Sequence, residues 1–246
     1  MELFKSRDFF VKIKGKYALF SDPVTKGGGE KYSYSVPTRQ ALVGLADAIY
    51  YKPTIKNIIS EVKVINKIQT EVIGTRAMIN KSNKMEADLN YVSYLIDVEY
   101  LMKFHFLWDE TRVDLTYDRI SKKHEAIMER SIIRGGRRDI FLGTRECVAT
   151  AEYLTEREYV EAESYYNNQI LNMGIMFQEF EYPTVTGEKL KSYFTNTILD
   201  KGVIRYLPKE TCNIINELSD YGFKQSEQIK SVETEWKEYQ ILEEGG

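Results

Sequence analysis

The sequence predicts an α+β fold, in which a ferredoxin-like N-terminal domain with the element order β-α-β-β-α-β precedes a smaller, antiparallel, β-rich C-terminal domain. Three observations lead to this class. The 246 residues are 43% hydrophobic and 29% charged, which is typical of a folded globular chain of one large or two small domains. Apolar residues recur at strict period two over residues 92–108, as in a long half-buried strand. Other stretches repeat apolar residues every three or four positions, as helices do.

The first elements follow in chain order. Residues 9–20 alternate partly between apolar and basic side chains and predict a first strand. Three consecutive glycines, 27–29, then exclude regular structure from the following loop. A helix is expected from Pro37, which suits a first helical turn, to a point before Pro53, because the residue preceding a proline avoids the helical conformation. Residues 55–65 are rich in β-branched side chains and predict a second strand.

The long alternating strand stands between an arm and a second helix. Residues 66–91 are too many for a tight turn, so they predict an extended hairpin arm or a mobile loop. The second helix is expected to have Ser121 as its N-cap and to end at Gly135, which can adopt the left-handed conformation. Residues 141–154 predict a last strand. The buried side of the second helix is expected to include Ile127, Met128 and Ile132.

Charge differs between the two halves and supports a boundary after residue 154. Residues 1–150 carry 25 Lys and Arg against 19 Asp and Glu, whereas residues 151–246 carry 9 against 18. The first region, 1–154, can therefore attract a polyanion although the whole chain has a net charge of −3. Ordinary variation of surface charge is the alternative explanation.

The acidic region 155–246 is expected to be rich in strands. Residues 170–182 and 189–207 predict strands, with a hairpin around residues 200–202. The acidic tail, 226–246, is interpreted as a helix that frays at its end.

The composition excludes several classes of protein and site. The N-terminus lacks the apolar core of a signal peptide, and no stretch approaches about 18 uncharged apolar residues, so no membrane partner is expected. Two cysteines and two histidines are too few for a disulfide framework or a multi-histidine metal site. No zinc, EF-hand, Walker A or dinucleotide-binding motif is present. We therefore expect a cytoplasmic protein that uses no metal or other cofactor.

The start of the second helix is the strongest candidate for chemistry. It places Lys122, Lys123 and His124 in a first turn, where free N–H groups and the helix dipole favour a bound phosphate. Histidine titrates near pH ~6.5 and suits acid or base catalysis. A solvated, charged first turn is the alternative, but cations at a helix N-terminus are unfavourable and need a reason.

Other candidates are weaker. Gly135 and Gly136 allow a close backbone approach, and Arg137 and Arg138 supply forked donors for phosphate, although a plain helix end with solvated charges is the alternative. His105 is interpreted as a partly exposed surface residue, with a role toward a ligand left open. The two tyrosines that end the first helix, Tyr50 and Tyr51, are more often packing groups than reactants.

Two long runs carry a resemblance to a known family. YALFSDPVTKGGGEKYSYSVPTRQALVGLADAIYYKPT (Tyr17–Thr54) and GGRRDIFLGTREC (Gly135–Cys147), with the pair Lys123-His124 between them, resemble the d variant of the CRISPR-associated Cas-five family, the subtype I-C (Dvulg) member of the RAMP superfamily. The resemblance covers roughly residues 9–154. It implies an N-terminal domain like the RNA recognition motif (RRM) and an endoribonuclease that cuts precursor CRISPR RNA within each repeat. It also implies that the protein then stays on the 5′ handle of the mature CRISPR RNA in the type I-C Cascade complex, with the backbone and large subunits.

The resemblance implies specific site residues as well. The family's catalytic trio of tyrosine, lysine and histidine corresponds to Tyr50, in the IYxKPT motif, and to Lys123 and His124. Tyr51 leaves open which tyrosine points inward. The residues expected to bind RNA are chosen instead for their positive charge or, for the two glycines, for the close approach that they allow. They are Arg39, Arg76, Lys81, Lys84, Lys122, Gly135, Gly136, Arg137 and Arg138.

The expected mechanism is an attack of the RNA 2′-hydroxyl on the adjacent phosphorus, which needs no metal and leaves a 2′,3′-cyclic phosphate and a 5′-hydroxyl. Lys123 stabilises charge on the phosphorane oxygens. The sequence leaves open which of His124 and Tyr50 is the acid and which the base. The main rival function is a non-catalytic scaffold that only binds CRISPR RNA, and an unrelated ferredoxin-like domain with a basic face is a third. Binding to DNA is left open.

Overall fold

The computed structural model describes residues 4–23, 25, 30–81, 84–183, 187–222, 236 and 240. Side chains at 77–81 and 84–88 lie outside this description. The expectations for Gly27–Gly29 and for nearly all of the acidic tail fall on residues outside it.

A mostly antiparallel sheet organises the described part of the chain. The strands are β1 (Phe9–Ala18), β2 (Glu30–Tyr32), β3 (Ile55–Val64), β4 (Thr70–Lys81), β5 (Lys84–Trp108), β6 (Ile140–Phe141), β7 (Val148–Leu154), β8 (Ile170–Glu181), β9 (Lys189–Asp200), β10 (Val203–Arg205) and β11 (Ile214–Asp220). The strand order in the sheet is β11-β9-β10-β3-β5-β1-β7-β6, with β2 and β4 also paired to β5 and β8 paired to β9. The one parallel pairing among these strands joins β2 to β5.

Two helices pack beside the central strands β7, β1, β5 and β3. These are α1 (Arg39–Ile49), which contacts β3, and α2 (Ser121–Ile133), which contacts β7 and also α1. A short α3 (Glu156–Glu161) contacts β1. The fold is thus a mixed α/β structure. The apolar core between helices and sheet includes the buried side chains of Leu42, Leu45, Ile49, Met128, Ile132, Val11, Ile13, Met102, Phe104 and Phe106.

The strongest sequence pattern is confirmed. The even-numbered residues of 92–108 are buried, apart from Ile96 and Trp108, which are partly buried. The strand extends further than the pattern, because β5 begins at Lys84 and forms a hairpin with β4. Of the two interpretations of residues 66–91, the hairpin arm is therefore confirmed.

The C-terminal end of α1 agrees with the sequence prediction, whereas its first residue, Arg39, comes two residues after the expected Pro37. Thr38 caps its N-terminus by accepting a hydrogen bond from the N–H of Ala41 at 3.2 Å. The last helical residue, Ile49, lies before Pro53, as expected.

The start of α2 differs from the prediction by one residue. Ile120, and not Ser121, is the N-cap, and no side chain caps the helix there. The predicted end is confirmed: Gly135 has φ +80°, its N–H bonds to the carbonyl of Ile132, and the N–H of Gly136 bonds to that of Ser131. This pair of bonds is the Schellman arrangement, which satisfies carbonyls that the helix end leaves free. The expected buried residues Met128 and Ile132 are buried, whereas Ile127 is only partly buried.

The second half shows both confirmed and missed elements. Strands β8, β9 and β10 confirm the expected strands, and Lys201 and Gly202, both with positive φ, form the expected hairpin turn between β9 and β10. The single strand expected over 141–154 is wrong, because a turn containing Gly143 divides it into β6 and β7. The sequence interpretation missed β2, α3 and β11.

Residues on the two sides of the expected domain boundary share this sheet. Strand β10 pairs with β3. The hydroxyl of Tyr206 donates to the carbonyl of Pro37 at 2.7 Å. The division at residue 154 stays a proposal.

Within the described residues, no helix has the length and apolar character needed to cross a membrane.

Gly143 makes the turn between β6 and β7 possible. Its φ is +90°, and a Cβ there would lie 1.9 Å from the carbonyl oxygen of Leu19. We expect Gly143→Ala to lower the free energy of unfolding by about 3 kcal/mol, since both strain and a backbone clash result. Urea denaturation measures this change.

Gly44 supplies the matched control. It is exposed in the middle of α1, and a Cβ there would meet nothing within 4 Å. Gly44→Ala should raise the free energy of unfolding by about 0.5–1 kcal/mol. Equal effects of the two substitutions would contradict this account of the turn.

Candidate active site

The structure brings Tyr50, Lys123 and His124 together where α1 ends and α2 begins. Tyr50 is the C-cap residue of α1, and its hydroxyl lies 2.8 Å from Nδ1 of His124. The side chains of Tyr50 and His124 are both fully buried. Tyr51, in contrast, is 49% exposed, so Tyr50 is the tyrosine that points inward.

Asp118 joins two members of this group and was missed by the sequence analysis. It is the last residue of a 3-10 helix, Val113–Asp118, that leads into α2. Its carboxylate pairs with the ammonium group of Lys123 and accepts a hydrogen bond from Thr54 Oγ1 at 2.7 Å. Its main-chain carbonyl oxygen lies 2.8 Å from Nε2 of His124. The one available signal in the sequence was an acidic residue just before a helix that starts with cations.

These contacts fix the tautomer of His124. A carbonyl oxygen only accepts hydrogen bonds, so Nε2 of His124 carries the proton that points at the carbonyl of Asp118. In the neutral imidazole, Nδ1 is then an acceptor, and the Tyr50 hydroxyl donates to it. The result is a chain of two hydrogen bonds that runs from Tyr50 through His124 to Asp118.

The surroundings of the chain are apolar on one side and basic on the other. The rings of Trp108 and Phe106, at the end of β5, lie 5.6 Å and 6.2 Å from the His124 ring in edge-on contact. The guanidinium of Arg137 lies over the Tyr50 ring, 4.8 Å from its centroid. Its own side chain is exposed, so Arg137 covers Tyr50 from the solvent side.

Two pKa values are shifted in this cluster. Burial raises the pKa of the Tyr50 phenol, and the positive charge of Arg137 opposes the rise. The hydrogen bond from Lys123 lowers the pKa of the Asp118 carboxyl, with help from the Thr54 hydroxyl. Asp118 is therefore charged at neutral pH, whereas Tyr50 keeps its proton.

The glycine loop after α2 lies against the same cluster. The N–H groups of Arg137 and Arg138 both bond to the carbonyl of Ala48 in the last turn of α1, at 3.2 Å and 3.1 Å. Both arginine side chains are exposed, and Nε of Arg137 donates to Ser131 Oγ at 3.1 Å. Lys122 is also exposed, beside Lys123 on α2.

The other residues expected to bind RNA lie apart from this cluster. Arg39 is at the opposite end of α1, its side chain is 9% exposed, and it forms an ion pair with Glu179 at 2.8 Å. Its guanidinium is thus paired within the fold, and its contact with RNA stays a prediction. Arg76 is exposed on β4 of the arm. Lys81 and Lys84 pair at the end of the arm, where side chains lie outside the description.

His105 does not join the cluster either. It lies on β5, with Nδ1 3.2 Å from Ser60 Oγ and 3.8 Å from a carboxylate oxygen of Asp8. Its side chain is more buried than the sequence interpretation expected.

Comparison with known proteins identifies a family that the chain matches. Residues 10–204 match the family model Cas_Cas5d, described as "CRISPR-associated protein (Cas_Cas5)". A curated relative from Thermus thermophilus, "CRISPR pre-crRNA endoribonuclease Cas5d", is 29% identical over 107 residues, which are 39% of this chain and 46% of the relative. The chain thus spans less than half the length of that relative.

Two solved structures are similar over most of the chain. A functionally uncharacterized protein from Streptococcus mutans, SMU1763c, is 52% identical with a TM-score of 0.75, covering 87% of this chain and 100% of its own. A CRISPR-associated protein is 50% identical with a TM-score of 0.75, covering 88% of this chain and 100% of its own.

The environment of His105 predicts a pH-dependent stability. Burial, together with Lys5, lowers the pKa of His105 from 6.5 to about 4. In the unfolded chain the imidazole takes up a proton near pH 6.5, whereas in the folded protein it does so only near pH 4. The proton therefore favours the unfolded chain, and the free energy of unfolding falls as the pH falls from about 6.5 toward 4. In His105→Gln we expect the free energy of unfolding to fall less between pH 7 and pH 4 than in the wild type, by up to about 3 kcal/mol. Urea denaturation across this pH range measures the difference. Parallel pH profiles for the two proteins would contradict the assignment.

Proposed function

The chain belongs to the Cas_Cas5d family of CRISPR-associated proteins, and from this we propose that it is an endoribonuclease that cuts precursor CRISPR RNA within the repeat. The T. thermophilus relative carries this activity in its name, which supports a nuclease role for the family. One observation on this chain carries the proposal. A single hydrogen-bonded cluster with Asp118 contains Tyr50, Lys123 and His124, although the tyrosine is 70 residues or more from the other two in sequence.

The proposed reaction is an in-line attack of the RNA 2′-hydroxyl on the adjacent phosphorus, and it requires no metal ion. The 2′ oxygen forms a bond to phosphorus while the bond to the 5′ oxygen breaks, which gives a 2′,3′-cyclic phosphate and a 5′-hydroxyl. One group must take the proton of the 2′-hydroxyl, and another must supply a proton to the leaving oxygen. Tyr50 and His124, whose side chains are joined by a 2.8 Å hydrogen bond, are the proposed pair.

Lys123 is proposed to stabilise charge on the phosphorane. An ammonium group has three donors, and the pairing with Asp118 leaves donors free for phosphate oxygens. Its side chain is 44% exposed, so RNA can reach it directly. A fixed cation placed where charge develops lowers the barrier of such a reaction.

Access to Tyr50 is proposed to depend on Arg137. Tyr50 and His124 are fully buried, so the reacting RNA needs an opening toward them. The Arg137 guanidinium lies over the Tyr50 ring and belongs to an exposed side chain. A phosphate of the RNA attracts this guanidinium and draws it off the ring, because arginine binds phosphate with two parallel hydrogen bonds.

The fold supports a wider proposal. The order of the four central strands, β7-β1-β5-β3, with α1 and α2 in the connections, is the one that a ferredoxin-like or RRM-like domain has. We propose that residues 1–154 form this domain and that residues 155–246 form a second one. We also propose that the protein stays on the 5′ handle of the CRISPR RNA with the other type I-C Cascade subunits. The alternative function is a scaffold that binds this RNA without cutting it.

Cleavage of a type I-C repeat RNA in excess EDTA tests the proposed activity. We expect the wild-type protein to cut it and to leave a 2′,3′-cyclic phosphate. His124→Ala and Lys123→Ala should each lower the rate of cleavage by about 100-fold or more, since both remove groups that act in the transition state. A substrate with a 2′-deoxy group at the cut position should stay intact. Tight binding without cutting by wild-type protein would favour the scaffold instead.

The exposed arginines of the glycine loop predict a salt-dependent affinity. Arg137→Gln should weaken RNA binding and reduce the slope of log Kd against log salt by about 0.7, the value for one phosphate contact on a single strand. Arg157→Gln is the control, because Arg157 is an exposed arginine on α3 that pairs with Glu161 on the same helix. Fluorescence anisotropy at several salt concentrations measures both slopes. If the slope for Arg137→Gln equalled that for Arg157→Gln, a phosphate contact by Arg137 would be excluded.

A further inference from the structure

The Asp118 carboxylate lies just before α2 but does not cap this helix. An aspartate just before a helix ordinarily caps it by accepting bonds from free N–H groups. Here the N-cap is Ile120, and no side chain caps α2. The carboxylate of Asp118 is instead directed at Lys123, Thr54 and His124.

Each oxygen of Asp118 has a separate contact within the cluster. One carboxylate oxygen pairs with Lys123 Nζ. The other accepts from Thr54 Oγ1 and lies 3.4 Å from Nε2 of His124. The main-chain carbonyl accepts the Nε2 proton of His124 at 2.8 Å and a second bond from the N–H of Ile120.

Thr54 makes this arrangement rigid. It is buried at the start of β3, and its carbonyl accepts a bond from the N–H of Asp109 at the end of β5. The hydroxyl that holds the Asp118 carboxylate is therefore fixed by two central strands. Because the Asp118 side chain is only 16% exposed, water competes little for these bonds.

We propose that Asp118 is a positioning residue that holds His124 and Lys123 in the geometry that cleavage requires. The inference rests on the function proposed above. When Tyr50 passes its proton to His124 and takes the proton of the 2′-hydroxyl in its place, the imidazole becomes positively charged. A carboxylate 3.4 Å from Nε2 stabilises that charge until the proton reaches the leaving 5′ oxygen. The same carboxylate directs Lys123, so one residue aligns the proton-transfer pair and the cation.

Single-turnover cleavage with saturating RNA tests this role. Asp118→Asn keeps the size of the side chain and removes its charge, and the main-chain carbonyl still fixes the tautomer of His124. We expect the cleavage rate constant to fall about 10- to 100-fold while the Kd for RNA stays within about twofold. Asp118→Glu should recover part of the rate because it restores the carboxylate. Thr54→Val, which removes only the donor that anchors Asp118, should lower the rate about threefold to tenfold.

Asp114→Asn is the matched control. Asp114 lies in the same 3-10 helix and has an exposed ion pair with Arg112, away from the cluster. This variant should cleave like the wild type, and thermal unfolding of every variant shows whether it is folded. Should Asp118→Asn not fold, Thr54→Val and Asp118→Glu carry the same test.

The outcomes separate the two proposals. Wild-type protein that fails to cut would overturn the proposed function and this inference with it. If the wild type cuts and His124→Ala does not, but Asp118→Asn cuts at the wild-type rate, only the positioning role is overturned. A loss of RNA affinity with an unchanged rate constant would likewise overturn it and make Asp118 a binding residue.

Discussion

The long strand β5 is the constraint on which the rest of the structure depends. Its 25 residues pair with β1, β3 and β4, and its N-terminal half also pairs with β2. The alternation of apolar side chains fixes which face of this strand packs against the helices, since a slip of one residue would turn its even-numbered apolar side chains away from them. The end of β5 also forms the floor of the candidate site, where Phe106 and Trp108 contact His124. Register and active-site geometry are therefore set by the same residues.

Burying a tyrosine, a histidine, an aspartate and part of a lysine side chain costs free energy unless each polar group has a partner. In this cluster every one of them has a partner, and Asp118 connects the bonds of Tyr50 and His124, through its main-chain carbonyl, with that of Thr54, through its carboxylate. Such a network is stabilising only as a whole, because removal of one member leaves another buried group unsatisfied. The cluster is accordingly both a structural joint between α1 and α2 and the proposed site of chemistry.

Much of this could be predicted from the sequence, for reasons that differ between elements. The strands β1, β3 and β5 and the helix α1 are recognisable because period two, period 3.6 and proline positions are local signals. The three residues of the short strand β2 are all exposed and pair with a distant segment, so the strand has no local pattern. For the site, the resemblance led to Tyr50, Lys123 and His124. The positive charge of Lys123 suggested a bound phosphate as its partner, whereas in the structure its ammonium group pairs with the carboxylate of Asp118. The ion pair of Arg39 with Glu179, 140 residues away, is likewise beyond what residue types alone reveal, and the RNA contact expected of Arg39 stays a prediction.

The pairing of β10 with β3 has a consequence for how the chain comes to fold. Strand β3 ends at Val64, and its outer neighbour begins at Val203, about 140 residues later. At a synthesis rate of about 5–20 residues per second, the outer edge of β3 waits on the order of ten seconds for its partner to leave the ribosome. During that time the unpaired backbone N–H and C=O groups at this edge are open to pairing with other chains. Until residues 203–205 have been synthesised, the end of β3 that they cover in the finished fold can therefore pair with another chain instead.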